Sequence, residues 1–352
     1  MTAAAAVLDR SAQTARELRW LLLSPPLLDT APGAHAAAVQ QFSAAEQAAI
    51  AQWLDGIDRA PQALCEFVQR PAGATKNRRA LSLLTPLSTP LLTLSSTLLS
   101  TPPSTPLTPV PASSPTPTLR LGRRAERLME FFLRHGPTHR LVAANIALRH
   151  AAPNGDRTTL GEIDFLLHDA AGHAWHWELA VKFFLCDTPN AHATALDFIG
   201  PDRAETLDTK LRKLFDRQLR HTPPAPWHTE RWTPAACTRG WLFYRHGSRV
   251  PHTPGVHPQH LQGVWIERDR IDELDAAGAT VWQAVPRSDW MCPQPPWPGA
   301  GRSLHAIASD IDATARGMAT MVVRGDGVDC RPVFVISPRP ATATDAAEPT
   351  AR

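Results

Sequence analysis

GEIDFLLHDAAGHAWHWELAVKFF, residues 161–184, is the stretch on which the fold turns. It reads as two β-strands, about Glu162 to Leu167 and about Ala174 to Phe184, joined by a polar turn, HDAAGH. Gly172 in that turn is the residue type that tolerates a positive φ. Side chains on a strand alternate between faces. Glu162 and Asp164 therefore share one face of the first strand, and Glu178, Ala180 and Lys182 share one face of the second. Trp177, Leu179, Val181 and Phe183 fill the opposite face. Acids and a lysine sit within otherwise apolar runs, where a charge is costly unless it is paired or put to use. Lysine is also scarce: Lys76, Lys182, Lys210 and Lys213 are all the chain has, among 36 Lys and Arg together. Lys is a compact point charge, not interchangeable with Arg, and can orient a water or steady a leaving charge.

The hairpin resembles the active-site hairpin of the PD-(D/E)XK nuclease fold, in which an acid on one strand and an acid-x-Lys on the next gather round a divalent metal. GEID matches well. In ELAVK the acid expected two residues before the lysine is replaced by Ala180, and Glu178 keeps the face but lies about 6.6 Å further along the strand, at roughly 3.3 Å per residue. Acidic and basic residues paired across a solvated ribbon are a common surface feature, but the flanks here are too apolar for one.

Working outward, LRLGRRAERLMEFFLRH (119–135) has Leu121, Ala125, Leu128 and Phe132 on one helical stripe, with Glu126 and Glu130 on a neighbouring face. His135 and Gly136 are expected to end this helix. HRLVAANIALRH (139–150) reads as a strand and PNGDRT as a turn. Downstream, DRAETLDTKLRKLFDRQLRH (202–221) reads as one long amphipathic helix. Its apolar side is Leu207, Leu211, Leu214 and Leu219, and Arg203, Lys210, Arg212, Lys213, Arg217 and Arg220 make it basic. TRGWLFYRHG (238–247) reads as a short buried strand. The resulting order, α-β-β-β-α-β, is that of the nuclease core.

Residues 1–70 read as helical. Ser11 is a possible cap for one helix, and Ser43 with Glu46 forms a capping-box signature for another. Residues 71–118, a low-complexity Ser/Thr/Pro/Leu run, read as a flexible insert. Residues 248–337 form an α/β extension containing two strands, a helix at SLHAIASDIDATARGMA, and a hairpin of MVVRG with RPVFVIS. Residues 338–352 are expected to be a disordered tail.

RELRWLLLSPPLL, LGRRAERLMEFFL, TLGEIDFLL, HWELAVKFFL, DFIGPDRAETLDTKL and GWLFYR, taken in order, resemble the bacterial domain-of-unknown-function 1853 family, which is grouped with the PD-(D/E)XK nucleases. In that family the ELAVK form looks usual. The resemblance implies an α/β (α+β) fold with a restriction-endonuclease-like core, a mixed central sheet flanked by helices, at 119–247. It also implies a candidate site: Asp164, Glu178 and Lys182 as catalytic residues, with Asp164, Glu178, Glu162 and Glu126 round Mg²⁺ or Mn²⁺. Gly122-x-x-x-Glu126 fits the place of a first-helix glutamate that helps hold the metal shell. Hard cations require such oxygen ligands. The basic helix, through Arg203, Lys210, Lys213 and Arg217, would follow the phosphate backbone of DNA or RNA.

Composition sets the outer limits. Hydrophobic residues make up 43% of the 352, enough for a core, and the net charge of +3 permits a nucleic-acid partner without demanding one. Cys65, Cys186, Cys237, Cys292 and Cys330 are scattered, with no CxxC, and read as free thiols. The apolar run Trp20–Leu23 is too short for a span and is broken by Pro25 and Pro26, so a cytoplasmic protein without membrane contact is expected. His246, His252, His257 and His260 lack ligand spacing and read as solvated, whereas His173, His176 and Glu178 lie close enough to suit a softer metal. No Gly-rich phosphate loop and no GxSxG occur. Three functions remain open: a metal-dependent phosphodiesterase, a nuclease-fold module without chemistry that binds nucleic acid or protein, and an interaction protein working through its insert and extension.

Overall fold

The computed structural model of the chain describes residues 3–33, 35, 37–70, 119–151, 157–275, 280–294, 301–313, 319–325 and 331–337. They belong almost wholly to one compact unit, Met1–Val68 with Leu119–Arg352. The insert expected at 71–118 and the tail expected at 338–352 lie outside the described residues.

Among the described residues four helices precede the first long strand. α1 spans Ala3–Leu23. It starts well before Ser11 because alanine, the best helix former, fills Ala3–Ala6, so Ser11 is an interior residue and not a cap. After the short β1 (Ala38–Val39), α2 runs over Ala44–Arg59 behind a complete capping box of Ser43 and Glu46. Ser43→Ala is expected to lower stability by about 1 kcal/mol, read as a drop in the urea midpoint; an unchanged midpoint would mean the cap contributes nothing. α3 is Gln62–Gln69, and α4 is Leu121–His135. α4 buries Ala125, Leu128 and Phe132, as its stripe requires. It also buries Arg127 and Glu130, which pair with each other, while Arg134 holds the second oxygen of Glu130 at 2.8 Å. Gly136 does not close α4 in the left-handed conformation. Its φ is −77°, and glycine is needed there because a Cβ would stand 2.5 Å from the Phe132 ring.

Next come β2 (His139–Ala151), β3 (Arg157–Asp169) and β4 (Ala174–Cys186), with Gly172 at φ +81° in the turn between β3 and β4. The short β5 is Phe198–Ile199. The single helix expected over 202–221 is instead three pieces. α5 covers Leu207–Arg212, a π turn covers Lys213–Arg217 and a 3₁₀ turn covers Gln218–Arg220. It starts late because Thr206 caps it, accepting from the Thr209 amide, and because residue 203 has φ +57° and cannot be helical. The apolar side is as expected: Leu207, Leu211, Leu214 and Leu219 are all buried.

β6 (Thr233–Arg245) is longer than the strand expected at 238–247. β7 (Leu261–Glu267), β8 (Trp282–Ala284), α6 (Leu304–Ala313), β9 (Thr320–Arg324) and β10 (Val333–Ile336) complete the elements. β9 and β10 do form the expected antiparallel pair. All ten strands among the described residues join one mixed sheet. Its order is β2-β3-β4-β6-β7-β10-β9-β8, with β1 on β6 and β5 on β4. β3 runs antiparallel to both its neighbours, β2 and β4, and β4, β6, β7 and β10 run parallel.

Helices cover both faces. α1, α2 and α4 pack on one, where Trp177, Phe183 and Leu185 of β4 meet Leu18, Leu21, Leu128 and Phe132. On the other, Ala180, Phe184 and Cys186 meet Leu207, Leu211, Leu214 and Phe215 of the α5 segment. Alternation along β4 thus turns Glu178, Ala180 and Lys182 toward the α5 side. Arg239 of β6 lies fully buried and fastens the sheet to the N-terminal segment. It donates to the Leu21 carbonyl near the end of α1 at 2.9 Å and to Gln40 Oε1 at 3.0 Å. No helix among the described residues is long and apolar enough to cross a membrane.

Candidate functional site

The site lies where the sheet opens at Asp164. β3 and β4 are paired from His168↔Ala174 to Phe165↔Trp177. The next residues in register are Asp164 and Glu178, which stand directly opposite each other. There the carboxylates take over the ladder: the Asp164 amide donates to Glu178 Oε1 at 3.3 Å, and the Leu179 amide donates to Asp164 Oδ2 at 2.9 Å. Beyond this point β4 keeps its partner on the other edge, β6, to which it is paired from Trp175 to Cys186. On the far side of β3, pairing with β2 steps from Ala144↔Phe165 to Ile146↔Ile163 across Asn145, which has φ +54°. The offset of Glu178 along its strand is therefore absorbed by register, and the two acids meet.

Glu178 is completely buried. Its Oε1 lies 2.8 Å from His176 Nε2, and its Oε2 accepts from Gln218 Nε2 at 2.8 Å. Burial pushes the Glu178 carboxyl up to about 8. Burial also holds Asp164 well above the usual carboxylate range, reinforced by the charges of Glu178, Glu126 and Glu162. His176 is pushed down to about 4 by burial, so it is neutral near pH 7 and can donate Nε2–H to Glu178. Around neutrality the pair therefore retains proton that two exposed carboxyls would have released.

Glu126 and Glu162 converge on one guanidinium. Arg123 NH1 bonds Glu126, reaches Asn145 Oδ1 at 2.6 Å and stands 3.4 Å from Glu162 Oε1. Burial raises the Glu126 carboxyl, and Arg123 opposes that shift. The four acids have the hard oxygen donors that Mg²⁺ or Mn²⁺ require. In this arrangement, however, both Glu178 oxygens, Asp164 Oδ2, Glu126 and Glu162 already serve protein donors. Among the described residues no group of three or more His, Cys, Asp or Glu side chains is arranged to hold a metal ion. To take up a divalent cation these oxygens would have to leave their protein donors.

The basic residues divide. Lys182 Nζ is held by Glu205 Oε2 at 2.6 Å. Lys210, read from the sequence as one of the basic residues of this helix, is half-buried and lies 3.4 Å from Gln218 Oε1. It is near enough to Asp164 and Glu178 for its charge to act on both. Lys213 and Arg217 are exposed on the π turn. Arg203 lies in the turn before α5, off the helix, and reaches the Ser337 carbonyl at 3.3 Å.

Gln218, Arg123, Asn145 and Glu205 escaped the sequence reading. Arg123 could have been found, because it stands three residues before Glu126 on a helix. Nothing local marks Gln218, whose direction is set by the π turn. Of the histidines, His176 does meet Glu178, but His173 bonds Thr233 Oγ1 instead. His260 is not solvated: it is buried, with Nε2 2.7 Å from Tyr244 Oη. Cys65, Cys186 and Cys237 are free thiols and, like Cys292, buried, and Cys330 lies outside the described residues.

Fold and site together define an α/β protein whose mixed, helix-covered sheet parts at a buried, hydrogen-bonded carboxylate pair. By sequence the chain belongs to the family described as Domain of unknown function (DUF1853), which matches residues 16–324. No curated protein and no solved structure matches it.

Proposed function

We propose that this chain is a binding module built on a PD-(D/E)XK nuclease-like core, with its acid site closed by its own donors, and that its ligand is a nucleic acid. In this reading 119–247 is the core, 248–337 its α/β extension, and 1–70 a helical segment packed against it. The carrying observation is that the acids are engaged by protein donors: Glu178 by His176, Gln218 and the Asp164 amide, and Glu126 and Glu162 by Arg123. Lys213 and Arg217 are exposed and make no ion pair among the described residues, which leaves them available to phosphates. Arg203 and Lys210 would supply the flanking contacts.

Labelled DNA and RNA oligonucleotides, titrated at rising salt, test this. Binding by four phosphate contacts predicts a log–log salt slope of about −3 to −4, because each neutralised phosphate releases most of one counterion. Absence of binding at low ionic strength would sink the proposal.

A second reading, a Mg²⁺- or Mn²⁺-dependent phosphodiesterase using Asp164, Glu178 and Lys182, is favoured by one observation. Asp164 feels the charges of Glu178, Glu126 and Glu162 together, so four carboxyls converge. Arg123 and Gln218 would have to let go of them first. Calorimetric titration of Mn²⁺ into the wild type, Asp164→Ala and Glu178→Ala proteins decides this. Binding lost in both variants favours the enzyme; no binding, or binding indifferent to both, favours the closed module.

A further inference from the structure

The chain has four lysines, and two of them, Lys182 and Lys213, are near enough to a third, Lys210, for their charges to act on it. Their amines are not equivalent. Lys182 is paired with Glu205 at 2.6 Å, and both side chains are about one-third exposed. Lys213 points outward. Lys210 lies between: its Nζ is 3.4 Å from Gln218 Oε1, and Gln218 Nε2 donates to Glu178 at 2.8 Å. One amide thus links Lys210 to the buried acid.

The acids that could neutralise the three amines are few. Glu205 holds Lys182 at 2.6 Å, whereas Lys210 makes no ion pair among the described residues and contacts the Gln218 amide oxygen. Lys210 is itself made less basic by burial and by the charges of Lys182 and Lys213. A cation without a full partner, crowded by two others, is stabilised by an entering anion. Phosphate oxygens suit an ammonium that presents three rotatable donors.

We propose that Lys210, rather than Lys182, is the amine that meets phosphate at this site. The proposal deepens the nucleic-acid-binding reading and rests on it for the larger ligand. The shared chemistry is a phosphate oxygen, whether from a free phosphate or from a phosphodiester backbone.

The test uses the full chain labelled with ¹⁵N at its lysine side chains. Four lysines give a spectrum that single Lys→Arg variants assign. Inorganic phosphate is titrated first, then a short single-stranded oligonucleotide. The Lys210 signal is expected to shift with both. In parallel, Lys210→Gln is expected to weaken oligonucleotide binding about tenfold and remove about one from the salt slope, with Lys182→Gln costing less than about threefold. If Lys182 shifts while Lys210 stays, or no lysine signal moves with phosphate, the proposal falls. If the wild type holds no oligonucleotide but Lys210 still responds to phosphate, the nucleic-acid reading falls and the Lys210 contact stands. If Lys210→Gln fails to fold, the wild-type titration alone decides.

Discussion

Gly240→Ala is expected to destabilise the protein by more than about 4 kcal/mol, the range reached when a substitution forces a clash that nothing can relieve. Gly240 pairs with Lys182 in the parallel ladder between β4 and β6. Its φ is +146°, a conformation that residues with a side chain rarely adopt. A Cβ there would stand 1.7 Å from the Lys182 carbonyl oxygen and 2.8 Å from its carbon. Both are backbone atoms, so no rotamer change makes room. The ladder runs from Trp175 to Cys186 on β4, and opening it would also pull apart the strand that carries Glu178 and Lys182. Gly247→Ala is the control. That glycine has φ +74° and nothing within 4 Å of its added Cβ, so only the left-handed backbone term of about 1–2 kcal/mol applies. Urea midpoints of the two variants measure the difference. A Gly240→Ala protein as stable as the control would mean that β4 and β6 do not approach as closely as described.

The hairpin at 161–184 and α4 were legible because each carries its own period. Alternation set the faces of β4, and Gly172 marked the turn. The stripe Leu121, Ala125, Leu128 and Phe132 gave α4 its buried side. What escaped depends on chain segments far apart. That β10 lies beside β7, and β1 beside β6, is set by pairing over long separations, which no local pattern records. The break of the 202–221 helix into α5, a π turn and a 3₁₀ turn leaves the leucine pattern nearly intact, so periodicity alone joined the three pieces. That break decides where Lys210 and Gln218 point. The meeting of Asp164 and Glu178 could be anticipated from their shared face. The form of that meeting, carboxylates replacing ladder bonds where two strands part, could not, because it depends on the β3–β4 pairing ending at Phe165↔Trp177 while β4 stays paired with β6.

Placing carboxyls in the ladder has a thermodynamic consequence. Between about pH 7 and 8 the wild type is expected to lose stability, and Glu178→Gln is expected to lose most of that dependence. Burial raises Glu178 to about 8. The folded state therefore holds a proton that the unfolded chain releases in the ordinary carboxylate range, so the associated stability is fully present below that range and is lost as pH rises toward 8. Below pH 7 other groups obscure the effect. Glu17, buried against Arg124 and raised to about 7, adds a slope of the same sign. His176, depressed to about 4, adds the opposite sign, since its stability is present above the ordinary histidine value and lost as pH falls. Above pH 7 the His176 contribution has faded and Glu17, half titrated at about 7, adds a smaller slope of the same sign that Glu178→Gln would keep, so the difference between wild type and variant reports the acid pair. A proton held only by the folded state costs up to about 1.4 kcal/mol per pH unit, so the decline from pH 7 to 8 is expected to be about 1 kcal/mol. Gln at 178 cannot ionise, and Gln218 can turn its amide to accept from it. Because the two acids titrate as a unit, Asp164→Asn is expected to flatten the profile as well. Urea midpoints at pH 7 and pH 8 for the three proteins provide the measurement. Parallel declines in all three would mean that Glu178 is already ionised at neutral pH, and that the buried pair is held by charge and not by a shared proton.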